Sequence, residues 1–143
     1  MNPPSTKVIG IVVAATAVVT LFHFTDNAVN LETYPPPAWQ PDWFEWVVAG
    51  SWPIYTSVGI AAYIAYRRGR FPLANVLLVV YSFVGLISIG HFATATLAEL
   101  TTRGAISVFV DIAAGSVILA VAIWSMLSAT ERPMPAKGGH RPS

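Results

Sequence analysis

VIGIVVAATAVVTLFHFTDNAVN, residues 8–30, decides how the rest of the chain is read. Its first part is almost wholly Val, Ile, Ala, Leu and Phe, the composition of a helix that faces lipid. Thr16, Thr20, His23, Asn27 and Asn30 nevertheless recur at steps of four, three, four and three, with Asp26 beside them. That spacing keeps side chains on one side of a helix. Lipid cannot satisfy a histidine, an aspartate and two asparagines, so the stripe is expected to face other helices. Ionisable groups at membrane depth are functional candidates by default.

The whole composition agrees with that reading. Hydrophobic residues make up 55% of the 143 positions and charged residues 10%, a membrane protein's balance. Four stretches are long enough to cross a hydrocarbon core, which needs about 20 helical residues. They run at about residues 7–26, 44–66, 72–97 and 105–127. The expected fold is therefore all-α, an integral membrane four-helix bundle over residues 1–128, followed by a disordered cytoplasmic tail at 129–143 rich in Pro, Gly and charge. The first stretch lacks a small-residue cleavage pattern after Leu21, so it is expected to be retained rather than removed as a signal peptide.

Charge orients the bundle. Lys7, Arg67, Arg68, Arg70, Arg132, Lys137 and Arg141 are seven of the eight Lys and Arg, and an even number of spans places them on one side. By the positive-inside rule that side is the cytoplasm, with both termini there. Asp26, Glu32, Asp42, Glu45 and Glu99 fall on the other side, and the plasma membrane is the expected location. A net charge of +1, with no basic patch interleaved with aromatics, gives nucleic-acid binding no support. The chain contains no cysteine, which excludes disulfides, thiolate metal sites and thiol chemistry.

The loop between the first two spans, LETYPPPAWQPDW, carries four prolines and two tryptophans and is expected to be stiff and extended. Trp39, Trp43, Trp46, Trp52 and Tyr34 suit an aromatic belt at the outer interface, or an aromatic mouth over a cavity. Pro53 is expected to kink the second span or loosen a turn of it. Ser51, Tyr55, Gly59 and Tyr63 share a face there. Short links make the later spans antiparallel neighbours.

Depth, reckoned at about 1.5 Å per helical residue, gathers the intramembrane ionisable groups in the outer half. His23 and Asp26 lie near the outer end of the first helix, His91 in the outer half of the third, and Asp111 about two turns into the fourth. Glu99 and Arg103 sit at the outer mouth. His91 shares a face with Ser88 and Ala95 and more loosely Thr94, and Gly90 beside it is expected to admit another backbone closely. Ser107, Asp111 and Gly115, four apart, form a small polar seam. An aspartate alone at that depth costs several kcal/mol. Asp111 is therefore expected to carry a proton or to find a partner among His91, His23, Tyr55 and a serine. Thr16 and Thr20 are expected to bond their own helix backbone, and Asp42 to cap the second helix.

Four spans, the PPAW of Pro36 to Trp39 in the first loop, a proline within the second span, and acidic or histidine groups facing a cavity together resemble the EXPERA family of sterol isomerases and the sigma-2 receptor. The resemblance covers about residues 16–127. It implies a lipid-sized cavity, and places the family's aspartate on Asp26 and its glutamate on Glu45; His91 and Asp111 have no clear counterpart in it.

Three functions are compatible with these residues. The first is binding or modification of a membrane lipid or other apolar small molecule, sterol-like or isoprenoid. His23, Asp26, His91 and Asp111 would be the catalytic candidates, and Asn27, Asn30, Glu45, Trp52, Tyr55 and Glu99 would line the site. Neutral histidine beside a carboxylate both accepts and donates protons near pH 7, as double-bond migration requires. The second is a haem or metal site on His23 and His91, for which no ligand-spaced pair such as HxxxH is present. The third is a non-catalytic accessory subunit, a homo-oligomer or part of a larger membrane complex, in which the polar residues only lock helices together. The residues leave the cofactor unknown.

Overall fold

The structure, a computed structural model, describes residues 1–30, 41, 43–94 and 100–130. Most of the proline-rich loop, including Glu32, Tyr34, Trp39 and Asp42, lies outside the described residues, as do Ala95, Glu99, the tail from residue 131, and the side chains of Glu45 and Thr94.

Helix α1, Thr6–Val29, starts at Ser5, whose hydroxyl accepts from the Val8 amide at 3.3 Å. This is an N-cap satisfying one of the orphan donors of a helix start. Helix α2, Phe44–Arg67, runs unbroken through Pro53. It ends in a Schellman turn: the Arg70 amide donates to Ala65 O at 2.9 Å and the Gly69 amide to Tyr66 O at 3.0 Å. Gly69 takes φ 71°, the left-handed conformation that this motif requires and that glycine adopts without cost. Helix α3, Phe71–Leu86, starts immediately after it, with Pro72 in its first turn where no amide hydrogen is needed. A 3₁₀ turn, Ile87–Gly90, leads into the single turn α4, His91–Thr94, and α5 spans Thr102–Thr130.

Among the described residues there is no strand, and four helices are long and apolar enough to cross a membrane: Thr6–Val29, Trp46–Arg67, Phe71–Gly90 and Thr102–Ser128. They pack in a ring, α1 on α2, α2 on α3, α3 on α5 and α5 back on α1. Alternation of direction is fixed by the contacts. Tyr66 at the end of α2 donates to Pro4 O at 2.6 Å, while Trp124 near the end of α5 donates to Asn2 O at 2.9 Å. The N-terminal segment and the last turns of α2 and α5 therefore share one end of the bundle.

The third span departs from the single helix expected over residues 72–97. It tightens to 3₁₀ geometry at Ile87, and the reason lies on α5. Gly85 is pressed against the backbone of Asp111 and Gly115, and Ser88 reaches the Asp111 carboxylate. Four residues at 3.0 rather than 3.6 per turn rotate the next turn, α4, by about 80° relative to a continuous α-helix. Gly90 is correspondingly turned out. A Cβ there would meet nothing within 4 Å, so the close backbone approach expected at Gly90 occurs instead at Gly85 and Gly115. At Gly115 an added Cβ would lie 2.6 Å from Ser82 O and 2.7 Å from Leu86 N.

The core is a stack of Ile9, Val13, Leu78, Tyr81, Val84 and Ile118 around small residues such as Ala62, Ala74 and Ala122. Gly59 makes room for the Tyr81 ring. The surface is more apolar than a water-facing one: Phe22 is 72% exposed and Ile54 67%, with Ile11, Val76, Phe83 and Ile106 also outward. Polar groups go inside instead. Thr20 is 0% and His23 3% exposed, and Thr16, Asp26, Ser88 and Asp111 are buried with them. The stripe on α1 thus faces protein, as its spacing dictates. Thr20 Oγ1 donates to Ala17 O at 3.3 Å within its own helix.

Candidate functional site

At the end of the bundle away from the N-terminal segment, α1, the 3₁₀ turn, α4 and α5 bring together residues scattered along the chain. His23 lies at the centre. Its Nδ1 is 2.9 Å from Ser107 Oγ on α5, and its Nε2 is 3.2 Å from Ser88 Oγ in the 3₁₀ turn. Ser88 donates to Asp111 Oδ2 at 2.5 Å, and the same carboxylate oxygen lies 3.9 Å from His23 Nε2. Of the four partners open to Asp111 from the sequence, a serine is its hydrogen-bond donor and His23 stands directly behind it. Asp111 is fully buried, and its Oδ1 has no hydrogen-bond partner among the described residues.

The directions of these bonds are set by proton counting. Ser88 has one hydroxyl proton and gives it to Asp111, so toward His23 it can only accept. His23 Nε2 must then carry the hydrogen. In a neutral ring Nδ1 is bare, and it accepts from the Ser107 hydroxyl. One ordered chain results, Ser107 to His23 to Ser88 to Asp111, with every donor pointing inward.

A second group lies beside it. Asn27 Nδ2 donates to His91 Nε2 at 3.1 Å, and the His91 ring meets the His23 ring edge to face at 5.5 Å between centroids. Asp26 Oδ1 accepts from Asn30 Nδ2 at 2.6 Å and pairs with the Arg103 guanidinium. Arg103 is mostly exposed while Asp26 is buried, so the pair marks the boundary between bundle and surroundings.

Between α1 and α5 a cleft of about 350 Å³ opens along the bundle's side, lined by Val19, Phe22, His23, Asp26, Arg103, Ile106, Ser107 and Val110. Because the two helices run in opposite directions, its lining is layered. The Asp26–Arg103 pair stands at the end, His23 and Ser107 come next, and Val19 and Val110 lie deepest, with Phe22 and Ile106 on the flanks. Polarity therefore falls steadily from the mouth toward the middle of the bundle.

Of the residues singled out in the sequence, His23, Asp26, Asn27, Asn30, His91 and Asp111 converge here. Trp52 and Tyr55 belong to α2: the Trp52 indole donates to Ala17 O at 3.1 Å, and both pack against the core. The Glu45 side chain and Glu99 fall outside the described residues. Ser88, Ser107 and Arg103 complete the site beyond the candidates expected from the sequence, where the signals are Ser107 four before Asp111 and Ser88 three before His91. Among the described residues no group of three or more His, Asp or Glu is disposed to hold a metal ion, and both nitrogens of His23 are engaged by serines.

No family model matches this chain, and no curated protein or solved structure matches it either.

Proposed function

We propose that this chain is a multi-pass protein of the plasma membrane, with the Lys7 and Arg67–Arg70 end in the cytoplasm, that binds a lipid-type amphiphile in the outer half of the bundle, between α1 and α5. The observation that carries this reading is the layered cleft. Its volume falls within the roughly 300–1,000 Å³ of small-molecule sites, which are mostly apolar with a few placed polar groups. An amphiphile entering from the bilayer would lay its apolar body along Val19, Phe22, Ile106 and Val110, and set its polar end against Arg103, Asp26 and His23. The exposed apolar surface of all four long helices and the basic cluster at one end support insertion in this orientation. A ligand of sterol or isoprenoid kind, as the EXPERA resemblance implies, fits the same gradient.

Identification of the molecules that co-purify with the full chain in mild detergent tests the proposal. A retained amphiphile in the native mass spectrum is the expected result; a chain that carries none through purification from its own membrane contradicts it.

A further inference from the structure

We infer that Ser107 is a nucleophile toward the carbonyl carbon of an acyl ester carried by an amphiphile in the α1/α5 cleft, with His23 as its base. The inference rests on the cleft reading above and adds a reaction to it. Three observations converge. First, Ser107 is half-buried and lines the cleft, so its hydroxyl is the point at which the buried polar chain meets a ligand. Second, the bond order fixed by Ser88 leaves His23 Nδ1 bare and 2.9 Å from Ser107 Oγ, within reach for abstraction of the hydroxyl proton. Third, Asp111 stands 3.9 Å behind His23 Nε2, where a carboxylate favours the imidazolium that forms when the ring takes that proton. The ring nitrogens exchange the parts they usually play in serine hydrolases, and Ser88 takes the position between histidine and acid. Asp111 and Ser88 are positioning residues; Ser107 and His23 touch the cleft.

The layering suits the substrate class. A polar head held at Arg103 places the next helical turn, about 5 Å deeper, at Ser107, where the ester of a head-to-tail lipid would lie. Arg103 also brings a positive charge to the cleft, into which negative charge develops on the carbonyl oxygen. In the reaction, Ser107 Oγ bonds to the carbonyl carbon as its proton passes to His23 Nδ1. The C–O bond to the alcohol breaks, the leaving oxygen takes the proton from His23, and an acyl-serine remains. Water then attacks this ester by the same route, releasing the fatty acid and restoring Ser107.

An alkyl fluorophosphonate is a direct probe, because a serine activated in this way displaces fluoride and keeps the phosphonyl group. Full-length protein in mild detergent is expected to gain one phosphonyl mass, located by peptide mapping on Ser107. Ser107→Ala should abolish the label and His23→Gln slow it by about 10²-fold or more, while Ser116→Ala leaves it unchanged. A second variant avoids disturbing the histidine. Since the chain has no cysteine, Ser107→Cys carries one thiol, and its alkylation by iodoacetamide should be about tenfold faster than that of Thr102→Cys, which stands in the open at the same end. Absence of label on Ser107, a rate unmoved by His23→Gln, or a Ser107→Cys thiol no faster than that of Thr102→Cys overturns the inference. Native mass spectra of the same samples separate the two claims. Retained lipid without labelling removes the nucleophile and leaves the cleft, whereas loss of both removes both.

Discussion

Ser88 has a single proton, and its gift of that proton to Asp111 sets the direction of every other bond around His23. Replacing Ser88 by alanine leaves Asp111 Oδ2 and His23 Nε2 without this partner in a buried site. Each buried polar group left unsatisfied costs about 1–3 kcal/mol, so Ser88→Ala is expected to lower stability by about 2 kcal/mol or more. The check is a thermal or denaturant unfolding curve in detergent. Ser57→Ala is the control: its hydroxyl is exposed and bonds Pro53 O in its own helix at 2.7 Å, and it should be nearly neutral. Equal effects of the two would contradict the network. Part of this site could be read from the sequence. The stripe of Thr16, Thr20 and His23 obeys helical spacing, and a buried aspartate on an apolar helix demands a partner, so His23, Asp26 and Asp111 announce themselves. Ser88 and Arg103 do not. Serine is common in apolar helices for reasons of its own backbone, and the Asp26–Arg103 pair joins helices at opposite ends of the sequence.

Helices α3 and α5 meet through glycine at both sides of one crossing, and this is where the bundle is least tolerant. Gly115→Ala would place a Cβ 2.6 Å from Ser82 O. Backbone on both sides cannot yield as a flexible side chain would, and overpacking of this kind costs about 1–3 kcal/mol. Gly50→Ala makes the opposite prediction. Nothing lies within 4 Å of a Cβ there, and glycine inside a helix is worse than alanine by roughly 0.5–1 kcal/mol, so the variant should be the more stable. Unfolding midpoints of the two variants beside the parent chain decide the matter; a Gly115→Ala protein as stable as the parent would remove the close crossing. The small seam on α5 was legible as Ser107, Asp111 and Gly115 four apart. Its partner was not, because a four-residue 3₁₀ turn is set by tertiary demand and leaves no periodic mark. Gly85 rather than Gly90 therefore receives α5, and the helix expected to run to Leu97 winds differently from Ile87.

Over the whole molecule, apolar length carried most of the helical architecture. Four long apolar helices, their alternation and the shared end of the N-terminal segment and the last turn of α5 follow from hydropathy and short links, since a helix satisfies its backbone polar groups within one apolar segment. The proposed orientation has a simple test in a chain without cysteine. Thr102→Cys is expected to react with a membrane-impermeant maleimide on intact cells, and Arg68→Cys only after permeabilisation; the reverse pattern would invert the bundle. Which helix each polar residue meets was not legible in this way, because it depends on how helices distant in sequence rotate against one another. Trp52 and Tyr55, expected in the lining of a pocket, stand on α2 and are not among the residues of the α1/α5 cleft. The central claim is that this cleft holds an amphiphile, and the native mass spectrum of the parent chain beside Ile106→Trp tests it most directly. Ile106 is exposed on the cleft's flank, so the indole fills the groove without crowding the core. The account predicts a bound amphiphile on the parent chain and its loss from a folded Ile106→Trp variant; equal retention by both would contradict it.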